Sequence, residues 1–294
     1  MPRPIKVSLQ PALHEANRLS WNAATPVHNS HKYSQANFFR DGGMTLFQEE
    51  KNPLGDVAGT RLLHLLCNAG QDTLSLARLG AVVTGVDISD GAIAFARSLS
   101  AETGISATFE RADAYSWLKE AGERGEAFDI VFCSYGAFCW LSDLPLFAHL
   151  VRNVLTNNGR FICVEFHPAV LVFDSDWTPL FEYGSGAEPV TLQQGVEDYV
   201  AQSGVGLAPS GLSQGATFFS NPYPAYEFQW GLGDVISSFT ASGLVIRHLE
   251  EYSYSNGCKL FDDMAGLPGG RWAMPDGRPK LPLMYGLVAG KHLP

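Results

Sequence analysis

Residues 61–97, RLLHLLCNAGQDTLSLARLGAVVTGVDISDGAIAFAR, decide the fold. Leu62, Leu63, Leu65 and Leu66 form an apolar run of the kind found in a strand buried on both faces. Cys67-Asn68-Ala69-Gly70 is a turn. A helix follows, carrying Leu74, Leu76, Ala77 and Leu79, with Asp72 or Thr73 as its expected cap. Residues 81–86, AVVTGV, are a second β-rich run, and Asp87 stands at its carboxyl end. A carboxylate there can accept both hydroxyls of a ribose, while the turn lets backbone reach the rest of a nucleoside. The unit therefore binds an adenosine-containing cofactor.

The turn separates the candidate cofactors. A dinucleotide site wants G-x-G-x-x-G, because bare backbone must touch a pyrophosphate. The corresponding positions here are Leu66, Asn68 and Gly70, so one glycine is in place. That suits a cofactor without phosphate, whose amino-acid tail lies against the loop. On these residues the chain resembles the class I methyltransferases that use S-adenosylmethionine. Their first motif is an apolar strand ending in D-x-G-x-G-x-G, followed by an acidic residue at the end of the second strand. Gly70 and Asp87 match it. His64, Leu66 and Asn68 stand where that family often has Asp, Gly and Gly, which leaves the methionine amine to Asp72 or to an N-terminal residue.

Later segments extend the resemblance in order. Residues 107–114, ATFERADA, read as a third strand ending in an acid, and the resemblance implies that Asp113 accepts the adenine amino group. Residues 128–136, FDIVFCSYG, look like the family's fourth strand, whose end faces the sulfonium. The turn at 155–159 and the run FICVEF at 161–166 look like its fifth. The match covers roughly Thr60 to His167. It implies S-adenosylmethionine contacts at Asn68, Ala69, Gly70, Asp72, Thr73, Asp87, Ile88, Asp113, Ala114 and Ser134.

The expected architecture is α/β: a doubly wound, seven-stranded, mostly parallel sheet with an antiparallel last strand. Residues 1–58 are expected to form an N-terminal lid or cap, and 59–294 the Rossmann-like methyltransferase domain. Pro2, Pro4 and Pro11 suggest an extended start, residues 12–21 a helix, and 28–47 a lid hinged at Gly42-Gly43. Residues 169–225 exceed what a doubly wound fold needs there, and their aromatics suggest an insertion forming the wall and roof of an acceptor pocket. Runs at 244–249 and 283–290 have no crossover helix between them and should pair antiparallel. The loop at 252–282 should lie over the active site or a dimer contact.

Composition narrows function. The 294 residues are 46% hydrophobic and 17% charged, ordinary for a folded core. No apolar run is long enough to cross a bilayer, and the first thirty residues lack a secretory hydrophobic region. Five cysteines without a C-x-x-C pair argue for reduced thiols and against structural zinc. The expected compartment is the cytoplasm. A net charge of −10 without a basic stripe argues against a nucleic-acid acceptor. The expected partner is a small molecule, with the chain a monomer or homodimer.

Methyl transfer is an in-line displacement, so the protein mainly aligns and desolvates the nucleophile. A base is needed where the nucleophile carries a proton that must leave. His167, after the fifth strand, is the first candidate base, its alternative being a hydrogen bond in the loop beside Pro168. Glu165 is either a catalytic group or a buried anchor. Tyr135, with Phe138 and Trp140 after it, is placed to face a sulfonium. Trp21, His28, His31, Tyr33 and Phe38 are expected to reach the acceptor from the lid. No metal is expected, since His28 and His31 have no acidic or cysteine partner close in sequence. The function read here is methyl transfer to an oxygen or nitrogen of a small molecule. The rivals are an NAD(P)-dependent oxidoreductase and a non-catalytic adenosyl-cofactor-binding protein.

Overall fold

The computed structural model describes residues 9–184 and 186–291, so Pro2 and Pro4 lie outside the described residues. The chain opens with helices α1 (Pro11–Ser30), α2 (Gln35–Arg40) and α3 (Gln48–Leu54), then alternates β1 (Arg61–Leu65), α4 (Gln71–Arg78), β2 (Val82–Asp87), α5 (Asp90–Thr103), β3 (Thr108–Arg111), α6 (Ala114–Glu123), β4 (Phe128–Ser134), α7 (Leu144–Val154) and β5 (Leu155–Phe166). Next come β6 (Pro189–Leu192), α8 (Tyr199–Ser203), β7 (Ala225–Phe228), α9 (Leu232–Ala241) and β8 (Val245–Tyr252). The chain ends with β9 (Tyr254–Asn256), β10 (Ala265–Leu267), β11 (Arg271–Ala273) and β12 (Met284–Gly290).

The main sheet runs β3-β2-β1-β4-β5-β12-β8. Its first five strands are parallel. β12 is antiparallel to both neighbours, as expected from the missing crossover helix. The apolar run in β1 is buried at all positions after Arg61, because helices cover both faces of the sheet. Short polar side chains set several helix starts. The Ser89 hydroxyl accepts from the Ala92 N–H at α5, and Asp143 accepts from Leu146 at α7. The expected side-chain cap of α4 is absent. Its first position follows Gly70 in a left-handed conformation, while Asp72 and Thr73 sit inside the first turn, turned to other partners.

Two small sheets were not anticipated. β6, within the 169–225 insertion, pairs with β7 just after it, and β9, β10 and β11 form a three-stranded sheet in the 252–282 loop. α1 bridges both halves. Asn22 Oδ1 accepts from the Ser89 hydroxyl at 2.7 Å and the Gly91 N–H at 3.1 Å, on α5. On the other side Asn17 exchanges two hydrogen bonds with the Tyr226 backbone on β7. No helix among the described residues is long and apolar enough to cross a membrane.

Candidate active site

The parallel strands deliver their carboxyl ends to one cavity of about 910 Å³, at the upper end of the range for small-molecule sites. Its floor is the β1–α4 turn. Leu66, Asn68 and Gly70 have φ of 53°, 48° and 79°. The backbone therefore keeps the left-handed geometry that glycines would allow, with leucine and asparagine in two of the places. Asparagine tolerates this conformation, whereas leucine there is strained by about 1–2 kcal/mol. Strain of that kind gathers where a ligand is held. Gly70 itself is irreplaceable: a Cβ would lie 2.6 Å from the Ala96 Cβ and 2.8 Å from the Phe109 ring.

Asp87 borders this turn. One carboxylate oxygen accepts the Asn68 N–H and the other the Ser89 N–H, both at 2.8 Å. Burial pushes its pKa up, against those two donors. A carboxylate offers about four lone-pair sites, so each oxygen keeps one for a ribose hydroxyl. Asp113 also lines the cavity, but as the cap of α6: Oδ1 accepts the Tyr115 and Ser116 N–H groups, and Oδ2 meets His14 Nδ1 at 2.9 Å. Burial raises its pKa, but His14 and the backbone donors outweigh that and bring it below the usual value. His14, which the sequence reading passed over, also bonds Ser142 through Nε2 and stacks on Tyr115.

The position where the resembled family often has Asp carries His64. Its ring is buried, bonded to Thr73 at 2.8 Å and held neutral, with a pKa driven down to about 3 by burial. The nearby carboxylate is Asp72, half-buried, raised in pKa by its desolvation, and accepting from the Thr45 hydroxyl. The Lys32 side chain faces the same cavity with its ammonium making no hydrogen bond or ion pair to a described residue, its pKa lowered to about 8 by burial against the attraction of Asp72. Sequence reading missed Lys32. Asp72 and Lys32 together offer one anion and one cation, the pair that an amino-acid zwitterion requires. The cavity, the turn, Asp87 and this pair fit an adenosyl amino acid.

At the end of β4, Tyr135 has φ of 45°, and its hydroxyl accepts from Asn256 at 2.9 Å. Asn256 belongs to a buried cluster in which Arg271 bonds Glu49 at 2.9 Å and Tyr254 donates to Glu49 at 2.6 Å. That cluster clamps the three-stranded sheet to α3, behind Tyr135. Glu165 is the anchor, not a free acid: it accepts the N–H groups of Gly136 and Ala137 at 2.7 Å and Phe138 at 3.2 Å. Burial nevertheless raises its pKa to about 7.

The structure turns His167 away from the chemistry. It does not line the cavity; Nδ1 accepts the Ala169 N–H, and Nε2 stands 2.9 Å from Glu251 on β8. The ring secures the turn beside Pro168. Of the expected lid residues, Trp21 and Phe38 line the cavity. His28 and His31 do not: they bond the Glu197 carbonyl and the Asp198 carboxylate, fastening α1 to the start of α8. Tyr33 points outward and is 64% exposed. Gly43 packs against Phe38, since a Cβ there would meet the ring at 2.5 Å. The insertion contributes Phe173, Phe181, Tyr183 and Tyr199 to the cavity, and the 252–282 loop contributes Asn256 and Cys258.

Fold and site together define a nucleoside-cofactor domain of the doubly wound kind. Residues 62–159 match the family described as methyltransferase domain. A ubiquinone biosynthesis O-methyltransferase from Azorhizobium caulinodans is 29% identical over 136 residues, 46% of this chain and 52% of that protein. One from Methylobacterium nodulans is 27% identical over 156 residues, 52% of this chain and 60% of that protein. The chain thus spans about half the length of the curated relatives it matches. Among solved structures, the CcbJ methyltransferase from Streptomyces caelestis superposes with a TM-score of 0.55 at 14% identity, covering 93% of this chain and 98% of that one. A DhpI complex with SAH gives 0.53 at 14% identity over 96% and 100%. These likenesses concern the fold. Residues 62–159 thus carry a methyltransferase domain, and the fold supports S-adenosylmethionine as its cofactor.

Proposed function

We propose that this chain transfers a methyl group to an oxygen or nitrogen of a small-molecule acceptor enclosed between the sheet and its roof. The carrying observation is that a single cavity joins the β1–α4 turn and Asp87 on one side to the aromatic insertion on the other. S-adenosylmethionine, when bound, supplies a methyl group already activated on sulfur. Asp87 holds the ribose, Asp113 with Ala112 and Ala114 borders the adenine, and Lys32 with Asp72 takes the amino-acid tail. The backbone at Asn68, Ala69 and Gly70, with Ile88, Thr73 and Ser134, shapes the walls around it. α1, through Trp21 and His14, closes the cavity from above and excludes water.

Glu165 acts as a positioning residue: by holding three N–H groups it fixes the segment after Tyr135 against the acceptor space. Tyr135 presents its ring at the end of β4, where an aromatic face favours a cation. Mass spectrometry of ligand carried through purification tests the reading. S-adenosylhomocysteine is the expected finding, together with calorimetric binding of that compound. Carried NAD, or no binding of S-adenosylhomocysteine, overturns it. A metabolite screen for methylated products identifies the acceptor.

A further inference from the structure

We propose that Glu227 is the carboxylate that selects the acceptor, and that the acceptor it selects carries a basic amine. The inference deepens the methyl-transfer reading and rests on it for the word acceptor. Glu227 lies on β7 opposite Val190, in the short ladder that the insertion lays against the cavity. α1 and the 138–140 turn both pack against β7. The Cys139 thiol feels its charge.

What distinguishes Glu227 is the lack of a partner. The other carboxylates lining the cavity are engaged: Asp72 by Thr45, Asp87 by two backbone N–H groups, Asp113 by His14, Glu165 by three N–H groups. The half-buried Glu227 side chain makes no hydrogen bond or ion pair with a described residue, and desolvation alone moves its pKa up to about 7. Two residues on, Gln229 also borders the cavity, and its Oε1 is buried without a partner. An unpaired buried amide oxygen is costly, so the Gln229 oxygen calls for a donor from outside the chain, and the unpaired Glu227 carboxylate opens onto the same cavity.

The chemistry of that donor follows from charge. Among the described residues lining the cavity there are five carboxylates and, apart from histidines, one cationic side chain, Lys32. An anionic acceptor meets repulsion there. A neutral alcohol can give Glu227 one hydrogen bond but leaves its charge uncompensated. A protonated amine gives a charge-assisted hydrogen bond and neutralises the carboxylate in the same contact. The rings of Trp140, Trp230 and Tyr183 line the same cavity and add cation–π attraction.

The experiment is calorimetry on the full chain with arylalkyl amines, each paired with the alcohol of the same skeleton (phenethylamine with phenethyl alcohol, for example), with and without S-adenosylhomocysteine. The expected result is an amine at least about tenfold tighter than its alcohol. Glu227→Gln should remove that preference, and Glu227→Asp should keep part of it. Both variants should bind S-adenosylhomocysteine within about twofold of wild type, which shows that they are folded. A panel with no amine preference, or a preference that survives Glu227→Gln, overturns the proposal. Failure of the wild type to bind S-adenosylhomocysteine, by contrast, overturns the methyl-transfer reading, and the amine panel read without it remains a separate result.

Discussion

The two halves of the cavity are built differently. The half proposed to hold the cofactor comes mainly from strand ends and the turns directly after them, so most of its residues lie close in sequence, with Lys32 the exception: Asn68 bonds Asp87 across nineteen positions. The acceptor half is assembled from chain ends and long loops. Tyr135 meets Asn256 across 121 positions, and Glu49 meets Arg271 across 222. The first half is a local consequence of β–turn–α geometry. The second depends on packing between segments with no common periodicity. One fold can therefore keep the first and vary the second, which is how a domain holds a cofactor while its acceptor changes.

The largest expected effect tests the local half. Asp87→Ala removes the proposed acceptor for two ribose hydroxyls, and charged hydrogen bonds contribute about 1.5–3 kcal/mol each. Affinity for S-adenosylhomocysteine should fall at least tenfold by calorimetry. An unchanged affinity would place the ribose elsewhere. The next effect tests the assembled half. Asn221 donates to the Ser20 carbonyl, the Ser20 hydroxyl and the Val196 carbonyl, each at 3.0 Å, and so joins α1 to the insertion. Asn221→Ala should lower stability by about 2 kcal/mol in urea unfolding, while cofactor affinity stays within about twofold. If instead affinity collapses with stability, the two halves are not separable.

The same contrast explains what could be read from residues alone. The order of the first five strands, the antiparallel last strand and the acids at 87 and 113 were legible, because burial imposes a short-range pattern on strands and turns. Asp113 was legible as an acid at a strand end, but its commitment to His14 was not, since α1 docks from 99 positions away. His167 misled for a related reason. Its place after β5 suggested the cavity, yet β12 and β8 extend the sheet beyond β5 and put Glu251 beside the ring. Glu227 and Gln229 had a faint signal: two polar residues, two apart, in the aromatic stretch YEFQW. Alternation places them on a common face, but nothing in that stretch says that the face meets a cavity. Lys32 had no signal, because a lone lysine near a helix end is ordinarily solvated.

A smaller effect separates the halves by pH. Glu165 and Glu227 have pKa values near 7 in the folded chain, above the usual 4.5. The folded state thus holds their protons more tightly than the unfolded state. Their contribution to stability is fully present below the unfolded value and is lost as pH rises through about 7. His28 has the opposite sign: burial lowers it to about 4 from 6.5, so its contribution is present above 6.5 and lost as pH falls. Raising pH from about 5 to about 7.5 should therefore cost Glu227→Gln less stability than it costs wild type, by urea titration at each pH. Parallel curves for the two proteins would show that Glu227 is ionised throughout, and so not desolvated.

The smallest effect concerns the turn that both halves share. Asn68 stands where the resembled methyltransferases often have glycine, and its φ of 48° is one that asparagine tolerates. Its side chain also accepts the Ala69 N–H at 2.7 Å, which supports the turn from within. Asn68→Gly would relieve a little strain, lose that bond, and enlarge the unfolded ensemble by about 0.5–1 kcal/mol of conformational entropy. These terms nearly cancel, so stability should change by less than about 1 kcal/mol and cofactor affinity by less than about twofold. Asn68→Val, which cannot easily adopt a positive φ, should lose clearly more of both. The pair of variants asks whether the turn needs the left-handed backbone or the absence of a side chain. Affinity that rises severalfold in Asn68→Gly would mean that the asparagine obstructs the cofactor, and that this turn has moved away from its cofactor-holding role.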